Sequence, residues 1–341
     1  MRILYIGNSD KHGYSYYQYK IIKKVYKKVF FLEIQKLNII TNLIFKICWH
    51  FNTSFFDYII KNSIKKKINI KFDIIYIHNE SLIGKKTINL LKSHCKKIIF
   101  YCPDNPFLDR DNQRWKLLLP NLKMFDLIIF MAKNRLKHAK KFNLKNIIWI
   151  PPTFKIKEQE RRKINSLEKK KYETDVLMIA TWFPERGDLF LKLIQNNINF
   201  KIYGGRWHKF KHYRKYKKYI GNKIESDELY VKLIQSSKIN ICLPSLGNND
   251  DITNRSIEIP YIGSMLLAKK TKTHEELFKN YKEAVFFNNY DDCVKKIKLL
   301  LSNDQLRKKI TKNGYEKIQK MKKKLSFEYN IKKIINGLNL D

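Results

Sequence analysis

Short runs of β-branched and aromatic residues recur along the first half of the chain: RILYIG, KVFFLEI, FDIIYIH, KKIIFYCPD, FDLIIFMA and NIIWIPP. They are near-continuously apolar instead of alternating, as strands covered on both faces of a parallel sheet must be. The stretches between them are long enough for crossover helices, and ESLIGKKTINLLKSH is one. After Pro151 and Pro152 the pattern breaks, and KIKEQERRKINSLEKKKYE is charged and without apolar period, so residues 153–173 read as a linker. The strand rhythm restarts with TDVLMIAT, NFKIYGG, INICLPS, SMLLAK and AVFF. From Asn303 on, Leu306, Ile310, Ile318, Met321 and Leu325 keep mostly three- and four-residue spacing, and SFEYNIKKIINGL follows as a further helix.

The pattern predicts an α/β chain of two Rossmann-like domains, residues 1–152 and 174–302, each built on a parallel sheet. Helices over 303–341 are expected to pack back across the domains. Two such halves imply a cleft faced by the strand carboxyl ends. A length of 341 residues with 44% apolar content allows cores of that size. The net charge of +39 suits a polyanionic partner: nucleic acid, anionic lipid or a phosphorylated substrate. The lysines are spread along the whole chain, however, and a coding bias toward Lys, Ile and Asn produces the same excess. Five cysteines, odd in number and without CxxC spacing, argue against a disulfide framework and a zinc site. The first apolar run is too short for a signal peptide, and LNIITNLIFKICWHFNTSFFDYII is interrupted by Lys46, His50 and Asp57. A cytoplasmic protein is expected, with peripheral contact to an anionic inner membrane face as an addition.

Chemistry in such folds sits on strand-end loops. YIGNSDKHG carries Gly7 and Gly13 without GxGxxG spacing, which rejects NAD. These glycines either let backbone approach a ligand or simply tolerate a turn. YCPDNPFLDRDNQRW presents Asp104, a base or hydroxyl acceptor, or else the shaper of an Asx-turn. ATWFPERGD places Arg186 at a helix start, where it grips a phosphate or pairs with Glu185 or Asp188. Gly204 and Gly205 in YGGRWHK permit close approach, and Trp207 either stacks on a base or joins the core. WHKFKHYRKYKKYIG interleaves basic and aromatic residues, but without an RNA-domain signature nucleic acid is disfavoured.

In NNDDITNRSIEIPYIG, Asp250, Asp251, Arg255 and Glu258 crowd the approach to a buried strand. Asp251, Thr253 or Asn254 is expected to cap a helix, whose free N–H groups and Arg255 would face an anion. Pro260 shortens that helix and Gly263 closes it. Glu258, one turn in, suits a ribose diol. The alternative, a Glu258 pair with Arg255 or a lysine, contributes only about 0.2–0.5 kcal/mol and does not explain a carboxylate beside a buried strand. Without ligand, Glu258 is expected to stay partly solvated.

DDITNRSIEIPYIGSMLLAKKTKTHEELF followed by KEAVFFNNYDDCVKKIKLLL resembles the C-terminal domain of CgeB-like spore-maturation glycosyltransferases, within the group 1-like GT-B transferases. TDVLMIATWFPERGDLFLKLI, IYGGRW and the run ending in SDELY fall where that family has strand and turn motifs, and DNPFLDRDNQRW and FDLIIF match more loosely. The resemblance implies a GT-B fold and retaining, metal-independent transfer of a hexosyl group from a UDP- or GDP-sugar to a glycan, lipid-linked or protein acceptor, with no cofactor bound permanently. It implies that Glu258 binds ribose, that Asp250 contacts the donor sugar with a shorter acid than the family's, and that Arg186 meets the diphosphate. Arg255 belongs to the motif, and Asp104 is assigned to the acceptor side. Gly7, Gly13, Gly204 and Gly205 complete the expected nucleotide-sugar contacts. The alternative is a non-catalytic basic adaptor for nucleic acid or anionic membrane on the same fold.

Overall fold

The computed structural model describes residues 1–48, 50–108, 111–156 and 164–338. The chain divides into two units, one of residues 1–151, 246–250 and 326–341, the other of 152–245 and 251–325.

In the first unit β1 (Arg2–Ile6), α1 (Tyr14–Val25), β2 (Lys28–Leu32), α2 (Ile39–Ile47), α3 (Ser54–Lys65), β3 (Phe72–His78), α4 (Lys85–Lys92) and β4 (Cys95–Cys102) follow one another. Then come β5 (Leu127–Phe130), α5 (Arg135–Lys141) and β6 (Ile147–Trp149). All six apolar runs form strands, in the parallel order β2-β1-β3-β4-β5-β6. The β3 run shows why it had to be apolar throughout: Ile75 and Ile77 enter one core, Ile74 and Tyr76 the other. A buried Asp57 on α3 accepts the N–H groups of Gly84, Lys86 and Thr87 at 2.8, 2.9 and 3.2 Å. It thereby supplies the negative charge that the start of α4 favours.

The second unit contains α6 (Ser166–Tyr172), β7 (Thr174–Ile179), α7 (Pro184–Gln195), β8 (Phe200–Tyr203), α8 (Tyr213–Tyr216), β9 (Ile220–Gly221) and α9 (Asp227–Gln235). It continues with β10 (Ser237–Cys242), α10 (Arg255–Ile262), β11 (Leu266–Lys269), α11 (Lys272–Leu277), β12 (Val285–Phe287), α12 (Tyr290–Ser302) and α13 (Asp304–Met321). Its sheet is parallel in the order β12-β11-β10-β7-β8-β9, so the winding reverses between β7 and β10. The two-residue edge strand β9 was not legible as a strand. Of the segment read as a linker, residues 157–163 lie outside the described residues. Phe154 and Ile156 are buried in the core of this unit, and α6 starts on a reciprocal Asn165–Glu168 cap.

The chain then contributes α14 (Phe327–Asn336) to the first unit, where Phe327, Ile331 and Ile335 bury their one-turn stripe on Ile74, Tyr76 and Ile99. Replacing Ile331 by Ala should cost the first unit about 2–5 kcal/mol, read as a lowered urea midpoint.

A histidine fixes α10 against β11. His274 is fully buried, with Nδ1 2.8 Å from the Lys269 carbonyl oxygen and Nε2 2.8 Å from Ser256 Oγ. A carbonyl only accepts, so Nδ1 carries the proton and Nε2 accepts from the Ser256 hydroxyl. Burial pushes the ring's pKa down to about 4, against the opposing pull of the Lys269 carbonyl and Asp251. The folded protein thus binds fewer protons here than the unfolded chain, whose histidine titrates near 6.5. Its contribution to stability is full above that value, falls as pH drops toward about 4, and changes no further below it. Urea midpoints at pH 7 and 4.5 should therefore differ less for His274→Gln than for the unaltered protein.

Candidate functional site

Where the second sheet reverses its winding, Arg186 lies across the gap. Pro184 opens α7 without needing a donor, which sets Arg186 in the first turn. Its Nη1 donates to the Thr181 carbonyl beyond β7 at 2.6 Å, and Nη2 reaches the Leu243 carbonyl beyond β10 at 3.5 Å. The guanidinium sits 5.1 Å from the centre of the Phe183 ring. Arg186 is only 4% exposed, yet its Nε has no partner, and among the described residues no carboxylate pairs with it. Burial first, and then the charge of Arg255, lower its pKa to about 10, so it remains a cation at neutral pH. The ion pair with Glu185 or Asp188, the bland expectation, does not form.

Gly204 belongs to the same corner. Its φ is +147°, and a Cβ there would stand 2.2 Å from the Ala180 carbonyl oxygen and 3.1 Å from the Thr181 nitrogen. Only glycine lets β8 end so close to the backbone that holds Arg186. Beside Gly205 the space a side chain would take is open. Arg206 follows in a left-handed conformation, its guanidinium 5.5 Å from the same Phe183 ring. Trp207 is core, donating from Nε1 to the Ala180 carbonyl at 2.8 Å. The aromatic residues after it also turn inward: Phe210 lies 5.0 Å from Phe190, and Tyr219 stacks on Phe200 at 4.8 Å. That leaves no exposed ring ladder of the kind a single-strand platform needs.

The helix α10 starts uncapped. Asn254 is its N-cap without a side-chain bond, and Asn254 Oδ1 is buried without a partner. The expected capping by Asp251 or Thr253 is also absent: Asp251 Oδ2 accepts from the Thr273 hydroxyl at 2.6 Å, and Thr253 Oγ1 faces Cys242 Sγ at 3.4 Å. Arg255, half-buried, opens the helix and acts electrostatically on Arg186 and on Glu258 alike. Pro260 lies inside the eight-residue helix, and Gly263 at φ +87° ends it.

Glu258 corrects an expectation. It is not partly solvated but 7% exposed, with Oε2 accepting from the Tyr230 hydroxyl at 2.8 Å and Oε1 from the Lys155 N–H at 3.3 Å. Burial pushes its carboxyl pKa up, while those two bonds and Arg255 pull it back. Desolvation and the Glu258 charge hold the Tyr230 phenol well above its usual value, so it stays a donor. The two bonds offset the burial cost that was expected to keep this acid wet.

In the first unit, Asp104 follows β4 and accepts from Asn79 Nδ2 at 2.8 Å and from Arg114 Nη1 at 3.0 Å. The local Asx-turn is made instead by Asn105, whose Oδ1 accepts from the Phe107 N–H at 3.2 Å. Asp250 is a partner of Arg135, which is fully buried, and of Asn248 Nδ2 at 2.8 Å. Its segment belongs to the first unit, whereas Glu258 belongs to the second. Gly7 is a packing glycine, since a Cβ there would stand 2.4 Å from Ser15 Oγ, and Gly13 precedes the first turn of α1. Arg186, Gly204, Gly205, Arg255 and Glu258 thus share the second unit, and Gly7, Gly13, Asp104 and Asp250 share the first.

Sequence reasoning missed Tyr230, Arg206, Arg114 and Arg135. Tyr230 stands in the SDELY stretch, but its role needs a contact 28 residues away, which spacing does not show. Among the described residues no group of three His, Cys, Asp or Glu is placed to hold a metal ion.

Residues 186–334 match the family model described as glycosyl transferase-like, a segment shorter than half of the chain that includes Arg186, Arg255 and Glu258. No curated protein matches the sequence. Among solved structures, the chain is similar to HepE of Anabaena in complex with UDP and glucose (TM-score 0.67, 11% identity, 99% of this chain and 100% of that one). It is similar to sucrose-phosphate synthase of Thermosynechococcus elongatus (TM-score 0.72, 9% identity, 98% of each chain). A glycosyltransferase of Rickettsia africae follows the same pattern (TM-score 0.65, 13% identity, 98% of this chain and 97% of that one). With two six-stranded parallel sheets matched over nearly its whole length, the chain has the GT-B fold.

Proposed function

We propose that the protein is a glycosyltransferase that takes its sugar from a nucleoside diphosphate sugar. One observation carries this reading: Arg186 is a buried guanidinium with no carboxylate partner among the described residues, set at the point where the second sheet reverses its winding. Leaving a cation there costs stability unless an anion arrives. Arg255, Arg206 and the uncapped start of α10 add positive potential to the same unit, and the carboxylate of Glu258 supplies the acceptor a ribose diol requires. Support for UDP over GDP comes from the HepE complexes, which hold UDP and UDP-glucose.

In the transfer, the bond from the anomeric carbon to the diphosphate breaks and a bond to an acceptor hydroxyl forms, the hydroxyl proton leaving with the released nucleotide. The charge that develops is on the departing diphosphate, and in this reading Arg186 with Arg255 takes it up, without a metal ion. Asp104, anchored by Arg114, is the proposed acceptor-side group. Asp250, the partner of Arg135, is the proposed contact to the donor sugar. A retaining outcome, a hexosyl donor, CgeB-like specificity and a glycan, lipid-linked or protein acceptor complete the proposal.

Thermal denaturation with UDP tests it. UDP should raise the melting temperature of the unaltered protein, and Glu258→Gln should weaken UDP about tenfold or more while leaving the response to inorganic pyrophosphate. Arg186→Met should abolish both responses, and without ligand it should melt no lower than the unaltered protein, because an apolar side chain avoids burying a charge. If no nucleoside diphosphate or nucleotide sugar shifts the melting temperature, the reading fails.

A further inference from the structure

The α2–α3 corner of the first unit exposes its apolar residues. In α2, Thr41 and Ile44 are buried, whereas Ile39 is 88% exposed and Ile40, Leu43 and Ile47 are exposed with it. Phe51 and Phe55, at 61% and 64% exposure, continue this apolar surface across the turn into α3, which packs on α2. Single exposed leucines are ordinary, but a contiguous patch of this kind marks an interaction surface.

Charge identifies the occupant. Between Lys36 and Lys67 the only acidic residue is Asp57, and it is buried against the start of α4. The exposed ionic groups around the patch are lysines: Lys36, Lys46 and the run at 65–67. A second copy docking symmetrically on this face would set these lysines against themselves. A polynucleotide would satisfy the lysines but leave isoleucines and phenylalanines with nothing to bury them. Lys36 is paired with Glu33 at 3.2 Å, which leaves Lys46 and the run at 65–67 as the exposed charges. An apolar ridge flanked by these lysines fits a bilayer with anionic headgroups, the side chains entering the acyl boundary and the ammonium groups staying at phosphate level. α2 has nine residues, and among the described residues no helix is long and apolar enough to cross a membrane, so such an element would lie in the interface.

We propose that the exposed face of α2, with Phe51 and Phe55, is a membrane-docking surface for anionic lipid. It is independent of the proposed nucleotide-binding residues Arg186, Arg255 and Glu258, which belong to the other unit.

Co-sedimentation of the full chain with vesicles tests it, without nucleotide, so that failure here leaves the donor reading untouched. Vesicles of one part phosphatidylglycerol to three parts phosphatidylcholine should bind the protein, and phosphatidylcholine alone should bind it more weakly. The variant Ile39→Ser/Leu43→Ser/Phe55→Ser, unchanged in charge, should lose about tenfold or more of its partitioning. An environment-sensitive dye on Leu43→Cys should shift to the blue on the same vesicles, and one on exposed Lys211→Cys should not. The proposal is overturned if the protein does not bind, if the triple-serine variant binds as well as the original, or if the dye at both positions responds alike. It is also overturned if light scattering shows a dimer that the serine variant dissolves, which would make a second copy the occupant.

Discussion

The second unit holds a buried cation, Arg186, that no carboxylate among the described residues neutralises. Arg186 has exchanged water for two backbone carbonyls and the Phe183 ring, and neither carries a full negative charge. Such a group costs free energy in the empty protein. The surrounding features follow from holding it there: a glycine at Gly204 so that two strand ends meet, a proline that opens α7, and the Thr181 and Leu243 carbonyls that fix its orientation. The diphosphate of the proposed donor would bring the concentrated negative charge that this arrangement lacks.

Other buried charges in the molecule are handled differently. Arg135 is also buried, but Asp250 neutralises it, and Asp57 is met by three N–H groups. Glu258 lies between these cases, held by a phenol and an amide while burial still raises its pKa. It keeps enough hydrogen-bonding capacity for a diol, since each carboxylate oxygen offers more than one lone-pair direction. The contrast separates Arg135 and Asp57, each met by a partner that neutralises or caps it, from Arg186, which no carboxylate among the described residues meets.

Much of the fold was legible because parallel strands buried on both faces must be apolar at every position, as FDIIYIH and TDVLMIAT are. The helix start at Arg186 and the end of α10 at Gly263 were legible for local reasons, a proline at the first position and a glycine that takes positive φ. The rest depends on contacts distant in sequence. Nothing near Glu258 says that Tyr230 will reach it, and nothing near Asp250 says that its partner is Arg135, 115 residues away. The burial of Glu258 was misjudged for that reason: its cost is visible from sequence, but the two donors that offset it are not. The basic aromatic stretch after Trp207 failed as a nucleic-acid signal because aromatic residues at those spacings also pack a core.

The proposed function requires Arg186 and Glu258 to meet the two ends of one nucleoside diphosphate. The most direct measurement is a crystal structure of the protein grown with UDP. The account predicts diphosphate oxygens within hydrogen-bond distance of the Arg186 guanidinium and ribose hydroxyls on the Glu258 carboxylate. UDP bound elsewhere with Arg186 still unpaired, or bound with its ribose away from Glu258, would contradict it.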